Sequence, residues 1–230
     1  MSLRRRDLAG AIAALAIAAV FIRLGAWQLH RLTERKAQNA VIAAARAQPP
    51  VELPEHNFRA DVVRDRRAHA RGAYDYVHER VWKGRTYDGA PGVALLTPLR
   101  LADGSAVFVD RGWVPSPDAA HVDATRYREG DSADVTGLAL PAPRDRGDVD
   151  PAALKDSLPY AVLTIVIQLN DSTTPHPSGL KRWRPPALDN GPHLSYAIQW
   201  FSFGAIVIVG VAVLLWILQQ RKEETEGVKT

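Results

Sequence analysis

Two apolar stretches bracket a long polar middle. Residues 8–22 are alanine-rich and apolar, and the pattern continues through Leu24, Gly25, Ala26, Trp27 and Leu29. Read to Leu29, that run is long enough to cross a bilayer as one helix. The second stretch, residues 194–218, is also bilayer-length, and from Phe201 on it is apolar except for Ser202. Its first two turns differ in kind, because they carry His193, Tyr196, Gln199 and Trp200. Polar groups just above a hydrocarbon core are either interfacial anchors or the lining of a site.

Between the stretches the period changes. Residues 30–47 are good helix formers that stop at Pro49-Pro50, so the first helix is expected to run on out of the membrane. Residues 51–65 are proline-broken and polar, a connector. Strand-like runs follow at residues 68–75, 77–82, 93–101, 106–114 and 133–140, with Asp103-Gly104 as a hairpin signal. Residues 161–169 are apolar but too short to span, hence a buried strand. Short helices are expected within 116–128 and from Asp150-Pro151, and residues 171–190 read as loop. The fold class is an α+β membrane protein. Residues 8–29 and 193–218 form transmembrane helices flanking an extracytoplasmic, mainly antiparallel β domain at 30–192, with residues 1–7 and 219–230 cytoplasmic.

Composition narrows the chemistry. Mean hydropathy over the 230 residues is −0.15, low for a chain with two spans, so the middle must be water-facing. Cysteine is absent, which excludes disulfides, zinc-thiolate sites, iron–sulfur clusters and CxxC redox chemistry. Methionine occurs only at position 1, so the soft ligands of a Cu(I) carrier are missing as well. The net charge of +4 is modest, and its arginine bias gives no reason to expect nucleic-acid binding. Arg4 to Arg6 before the first apolar run suggest a signal peptide, but no convincing A-x-A site follows the run and the pattern runs on, so a retained helix is expected. Arginines on both sides of the first span weaken the charge rule for orientation. The expected location is a bacterial inner membrane, with the central domain periplasmic.

Side by side and antiparallel, the two helices should bring Trp27-Gln28 and Gln199-Trp200 to similar depth. One reading is an aromatic belt with a Gln28–Gln199 hydrogen bond, worth roughly 1 kcal/mol or less. His193 lies six residues before Gln199, roughly 9 Å further out at about 1.5 Å per residue. An imidazole there serves either as an iron ligand or as a wetted helix start; His30 faces the same choice. Arg111 and Trp113, two apart on a strand, should share a face with Val109. There Arg111 either stacks on the indole and pairs with a carboxylate, or holds an anionic group such as a propionate. Arg31, four residues after Trp27, is a second candidate for that role. Hydrolase motifs and phosphate-binding glycine loops are absent, and no nucleophile–base pair can be named, so an enzyme is not expected.

Four segments together resemble a known family. Residues 24–31 (LGAWQLHR) with Lys36, then Thr97-Pro98-Leu99 with Asp103-Gly104, then residues 109–115 (VDRGWVP), and last residues 192–201 (PHLSYAIQWF) are similar to the Surfeit locus protein one family. The resemblance implies a chaperone-like role in the biogenesis of cytochrome c oxidase, complex IV of the respiratory chain, with haem a as cofactor or cargo. The family's proposed haem ligand falls on His193, its WQ pair on Trp27 and Gln28, and its RGW arginine on Arg111. Tyr196, Gln199 and Trp200 complete the expected lining, with Arg31 as a further contact. Asp110 stands where many members have asparagine. Implied partners are the oxidase catalytic subunit, a haem a synthase as a further candidate, and membrane lipid. A cofactor-free scaffold that steadies oxidase subunits remains the alternative.

Overall fold

The computed structural model describes residues 5–54, 58–144, 149–154, 156–170 and 176–227. It divides into a helix pair, residues 1–41 with 188–230, and a β domain, residues 42–187.

The helix pair is built from α1 (Arg5–Ala47) and α3 (His193–Gly227). α1 is continuous from the apolar run into the polar segment after it, as the absence of a breaker before Pro49 requires. Small residues carry the contact: Ala11, Ala18 and Ala197 are buried, as is Val211. Gly25 lies so close to Phe201 that a Cβ there would sit 2.8 Å from the ring. One built on Gly204 would lie 3.3 Å from Ile22 and 3.6 Å from the Ala18 carbonyl oxygen. Backbones therefore approach closely, the usual way helices associate where no water drives them together. The other faces expose Ile12, Val20, Ile206, Val209 and Trp216. Both helices are long and apolar enough to cross a membrane.

The β domain is one seven-stranded, barrel-like sheet. Its strands are β1 (Val51–Leu53), β2 (Arg67–Tyr74), β3 (Arg80–Tyr87), β4 (Ala90–Arg100), β5 (Ala106–Pro115), β6 (Ser132–Pro141) and β7 (Val162–Gln168). Their order is β1-β2-β6-β7-β5-β4-β3, and an extra β2–β4 pairing closes five of them into a ring. Pairing is antiparallel except at β1–β2 and β5–β7. Inside the ring pack Ala68, Ala70, Leu99, Val107, Val109, Ile165 and Ile167. Outside β4 and β5, the opposite faces pack Ala94, Leu96 and Phe108 against Val149, Leu154 and Leu158. Burial on both sides explains why β5 carries apolar residues at consecutive positions, Ala106 to Val109, instead of alternating.

Three local expectations change. The stretch read as connector contains β1 and a short helix, α2 (Ala60–Val63), because Val51, Leu53 and Val63 are needed for the ring core. Within residues 116–128 there is one 3-10 turn, Ala124–Tyr127, capped by the Asp123 side chain. Asp150-Pro151 opens turns instead of a helix, its carboxylate accepting from the Ala152 amide at 3.0 Å.

Candidate functional site

The end of the helix pair where α3 begins brings two of the expected residues together, in a pairing different from the sequence reading. Gly25 faces Phe201, and Phe21 stacks on Trp200 with ring centroids 5.7 Å apart. That places Trp200 deeper than Trp27-Gln28, and brings Gln28 level with the start of α3. Gln28 consequently bonds to His193, its Oε1 2.7 Å from Nδ1, in place of the expected bond to Gln199. Gln199 faces outward.

His193 is half-buried at the first position of α3. Its Nδ1 is taken by Gln28, and Nε2 has no partner among the described residues. Gly191, at φ +69°, has its missing Cβ position 3.4 Å from Nε2, so glycine both permits the turn and leaves that edge of the ring uncovered. Ala197, one turn on, is 1% exposed, whereas Tyr196 is 45% and Trp27 52% exposed. Trp200 instead belongs to an aromatic cluster, edge-on to Phe203 at 6.0 Å and stacked on Phe21. Arg31 pairs with Glu34 at 2.6 Å, and His30 with the same carboxylate group at 3.2 Å. Just outside, Asn39 Nδ2 donates to the Asp189 carbonyl at 3.1 Å and to Asn190 Oδ1 at 3.0 Å.

Arg111 belongs to the β domain, and its contacts lie within it. The register of β4 against β5 slips between Leu95 and Leu96, leaving Arg111 as the bulged residue. Gly112 follows at φ +137°, where a Cβ would lie 2.4 Å from the Lys181 carbonyl oxygen; only glycine fits. The bulge reverses the strand's parity, so Trp113 pairs with Ala94 on the outer face and does not share a face with Arg111. The guanidinium is 0% exposed. Its Nε donates to Thr97 at 2.8 Å and Nη2 to Glu79 at 2.6 Å, while Nη1 donates to the Tyr127 carbonyl and to Glu129 at 3.3 Å. Arg182 completes the group, 2.5 Å from Glu129 and bonded to the Arg111 carbonyl. The ring beneath Arg111 is Tyr76, 5.3 Å away, where sequence reasoning expected Trp113. Glu79, Glu129 and Arg182 were invisible in the sequence, because no motif spacing joins residues so far apart in the chain.

Three further polar sites lie in the β domain. Asp110, fully buried, accepts from Trp183 Nε1 at 2.8 Å and from the Gly112 amide at 3.1 Å; burial nonetheless pushes its carboxyl up to about 6. His69 sits between Glu52 and Asp134, 2.5 Å from each, and hydrogen bonds to the two carboxylates raise its pKa above the ordinary histidine value. A cavity of about 330 Å³ lined by Arg67, Tyr74, Glu129, Asp134 and Arg182 borders the Arg111 group; burial there pushes the Tyr74 phenol up.

Comparison with known proteins bears on the family of the chain. A sequence model of the SURF1 family matches residues 15–205, taking in α1, the sheet and the start of α3. An uncharacterized SURF1-like protein of Mycobacterium bovis is 28% identical over 224 residues, covering 90% of this chain and 82% of that one. SURF1-like proteins of Monosiga brevicollis (26% identical, 91% and 87% covered) and Rickettsia felis (24%, 83% and 89%) are similar along the same extent. With the paired apolar helices, the barrel-like insert and a match over most of its length, the chain belongs to the SURF1 family, known in general as cytochrome oxidase assembly factors.

Proposed function

We propose that this protein is a membrane-anchored assembly factor for haem-copper cytochrome c oxidase that holds haem a at the outer end of its helix pair. The observation that carries the reading is His193: half-buried at the head of α3, with one ring nitrogen tied to Gln28 and the other without a protein partner among the described residues.

The donor chemistry fits. A neutral imidazole with a free nitrogen is the commonest proximal ligand of haem iron. Trp27, next to Gln28 in the chain, and Tyr196, three residues on from His193, have exposed rings available for covering a flat macrocycle. Arg31, partly exposed and paired to its neighbour Glu34, is the cation of this unit best suited to meet an anionic side group. Arg111 enters the reading differently: its three nitrogens are engaged by Glu79, Thr97, Glu129 and Tyr127, so its part is to hold the β domain together. Bound haem supplies an iron centre that accepts the imidazole. The chain's own work is to orient that ring, shield the macrocycle and release it to the oxidase catalytic subunit. The two spans support a membrane setting for this work, and a bacterial inner membrane with the β domain periplasmic is the setting we favour.

Expression together with haem a synthesis, followed by purification and visible spectroscopy, tests this. The wild type should carry a haem signal that His193→Ala loses. An equal signal in both removes His193 as ligand. A colourless wild type that still co-purifies with oxidase subunits replaces the carrier by the cofactor-free scaffold.

A further inference from the structure

We infer that Gln28 is a positioning residue that selects the tautomer of His193, presenting Nε2 as the ligating atom. The inference rests on the haem reading for its purpose, but its geometry is independent of any ligand. A carbonyl oxygen only accepts hydrogen bonds, so Gln28 Oε1 at 2.7 Å requires the proton on Nδ1. A neutral imidazole carries one such proton. The lone pair is therefore on Nε2, the nitrogen beside Gly191, which has no side chain to cover it. Free neutral histidine prefers the opposite form, with the proton on Nε2, in which the open edge of the ring would be a donor unable to bind a metal. The contact from α1 reverses that preference.

The pairing also fixes ring rotation. The two residues are 165 apart in sequence and come from different helices, so the ring is held by the helix packing itself. Ala197 and Gly25, the small residues of that packing, set the approach that lets a glutamine reach across. Groups that hold the second nitrogen of a ligating histidine are worth about 10–100-fold in metal affinity.

Selective 15N-histidine labelling of the full chain in detergent micelles, at a pH where His193 is neutral, reads the tautomer directly without haem; His193→Ala assigns the signal. The wild type should show a protonated Nδ1 and an unprotonated Nε2, and Gln28→Leu should shift the population toward protonated Nε2. Gln28→Glu, which keeps an acceptor in place, should preserve the wild-type form. Titration with haem a should then show affinity reduced about 10–100-fold in Gln28→Leu and retained in Gln28→Glu. A wild-type ring protonated on Nε2, or one unchanged by Gln28→Leu, overturns the inference, whatever happens to haem. Equal haem affinity in all three proteins overturns the positioning role. A ring protonated on Nδ1 in a protein that never binds haem upholds the tautomer and defeats only the proposed function.

Discussion

The helix pair and the β domain are packed on opposite plans. In the helix pair, small residues meet at the contact and large apolar ones point away, as at Ala18 and Gly204 against Ile12 and Ile206. In the β domain the apolar groups are inside, and two arginines with two glutamates are buried beside them. The difference follows from the solvent. Where lipid surrounds a helix, apolar burial contributes little between helices, and close backbone approach decides packing. In water the ring core supplies ample hydrophobic energy, and buried charge is tolerated only when every partner is present. A single cavity or lost charge should therefore cost the β domain more than a single misfit costs the helix pair.

The sharpest attempt to break this contrast is Arg111→Ala. It leaves Glu79 and Glu129 buried with fewer partners, and breaking such a pair costs about 3–5 kcal/mol. Denaturant unfolding of the full chain, followed by tryptophan fluorescence of Trp82, Trp113 and Trp183, should show that loss in the β domain. A change below about 1 kcal/mol would mean that the network is not a support.

Next comes Asp110→Asn, expected to stabilise. Burial lifts this carboxyl to about 6, above its ordinary value of about 4, so the folded chain binds the proton more tightly than the unfolded one. Stability is then lost as pH rises between those values, and the penalty is complete above about 6. Asparagine keeps the oxygen that accepts from Trp183 and Gly112 while removing the charge. At pH 8 the variant should exceed the wild type by about 2–3 kcal/mol, a difference that vanishes near pH 4. An unchanged difference across that range rules out Asp110 as the titrating group.

The smallest effect belongs to the helix pair. Gly25→Ile drives a branched side chain into Phe201, whose ring is partly exposed and can move aside. The cost should stay at about 1–3 kcal/mol. Because the chain has no cysteine, an Ala18→Cys/Gly204→Cys pair can report it as slower oxidative cross-linking when Gly25→Ile is added. Cross-linking at the unaltered rate would show that this contact is not what sets helix approach.

How far the sequence could be read depended on the range of each interaction. Spans, strands and the Asp103-Gly104 hairpin rest on local period and turn chemistry, and six strands were visible as runs. β1 and α2 were missed because Val51, Leu53 and Val63 lie in short segments whose meaning comes only from the ring core they complete. The bulge was hidden too: two-residue alternation placed Trp113 beside Arg111, and a single slip at Gly112 reversed it. In the helix pair both site residues were named, but their pairing was not. Gln28 could reach either His193 or Gln199, and the register that decides between them is set by Gly25 and Phe201, whose fit no spacing rule encodes.

One contact has a bearing on how such proteins can change. Asn39 and Asn190 are joined at 3.0 Å although 151 positions separate them, so the chain departs for and returns from its water-facing module at neighbouring points. An insert whose two ends are held together in this way is exchangeable: another fold whose ends meet could be spliced in its place without parting the two helices. The part of the chain between them can then vary while the Gln28–His193 contact of the helix pair stays where it is.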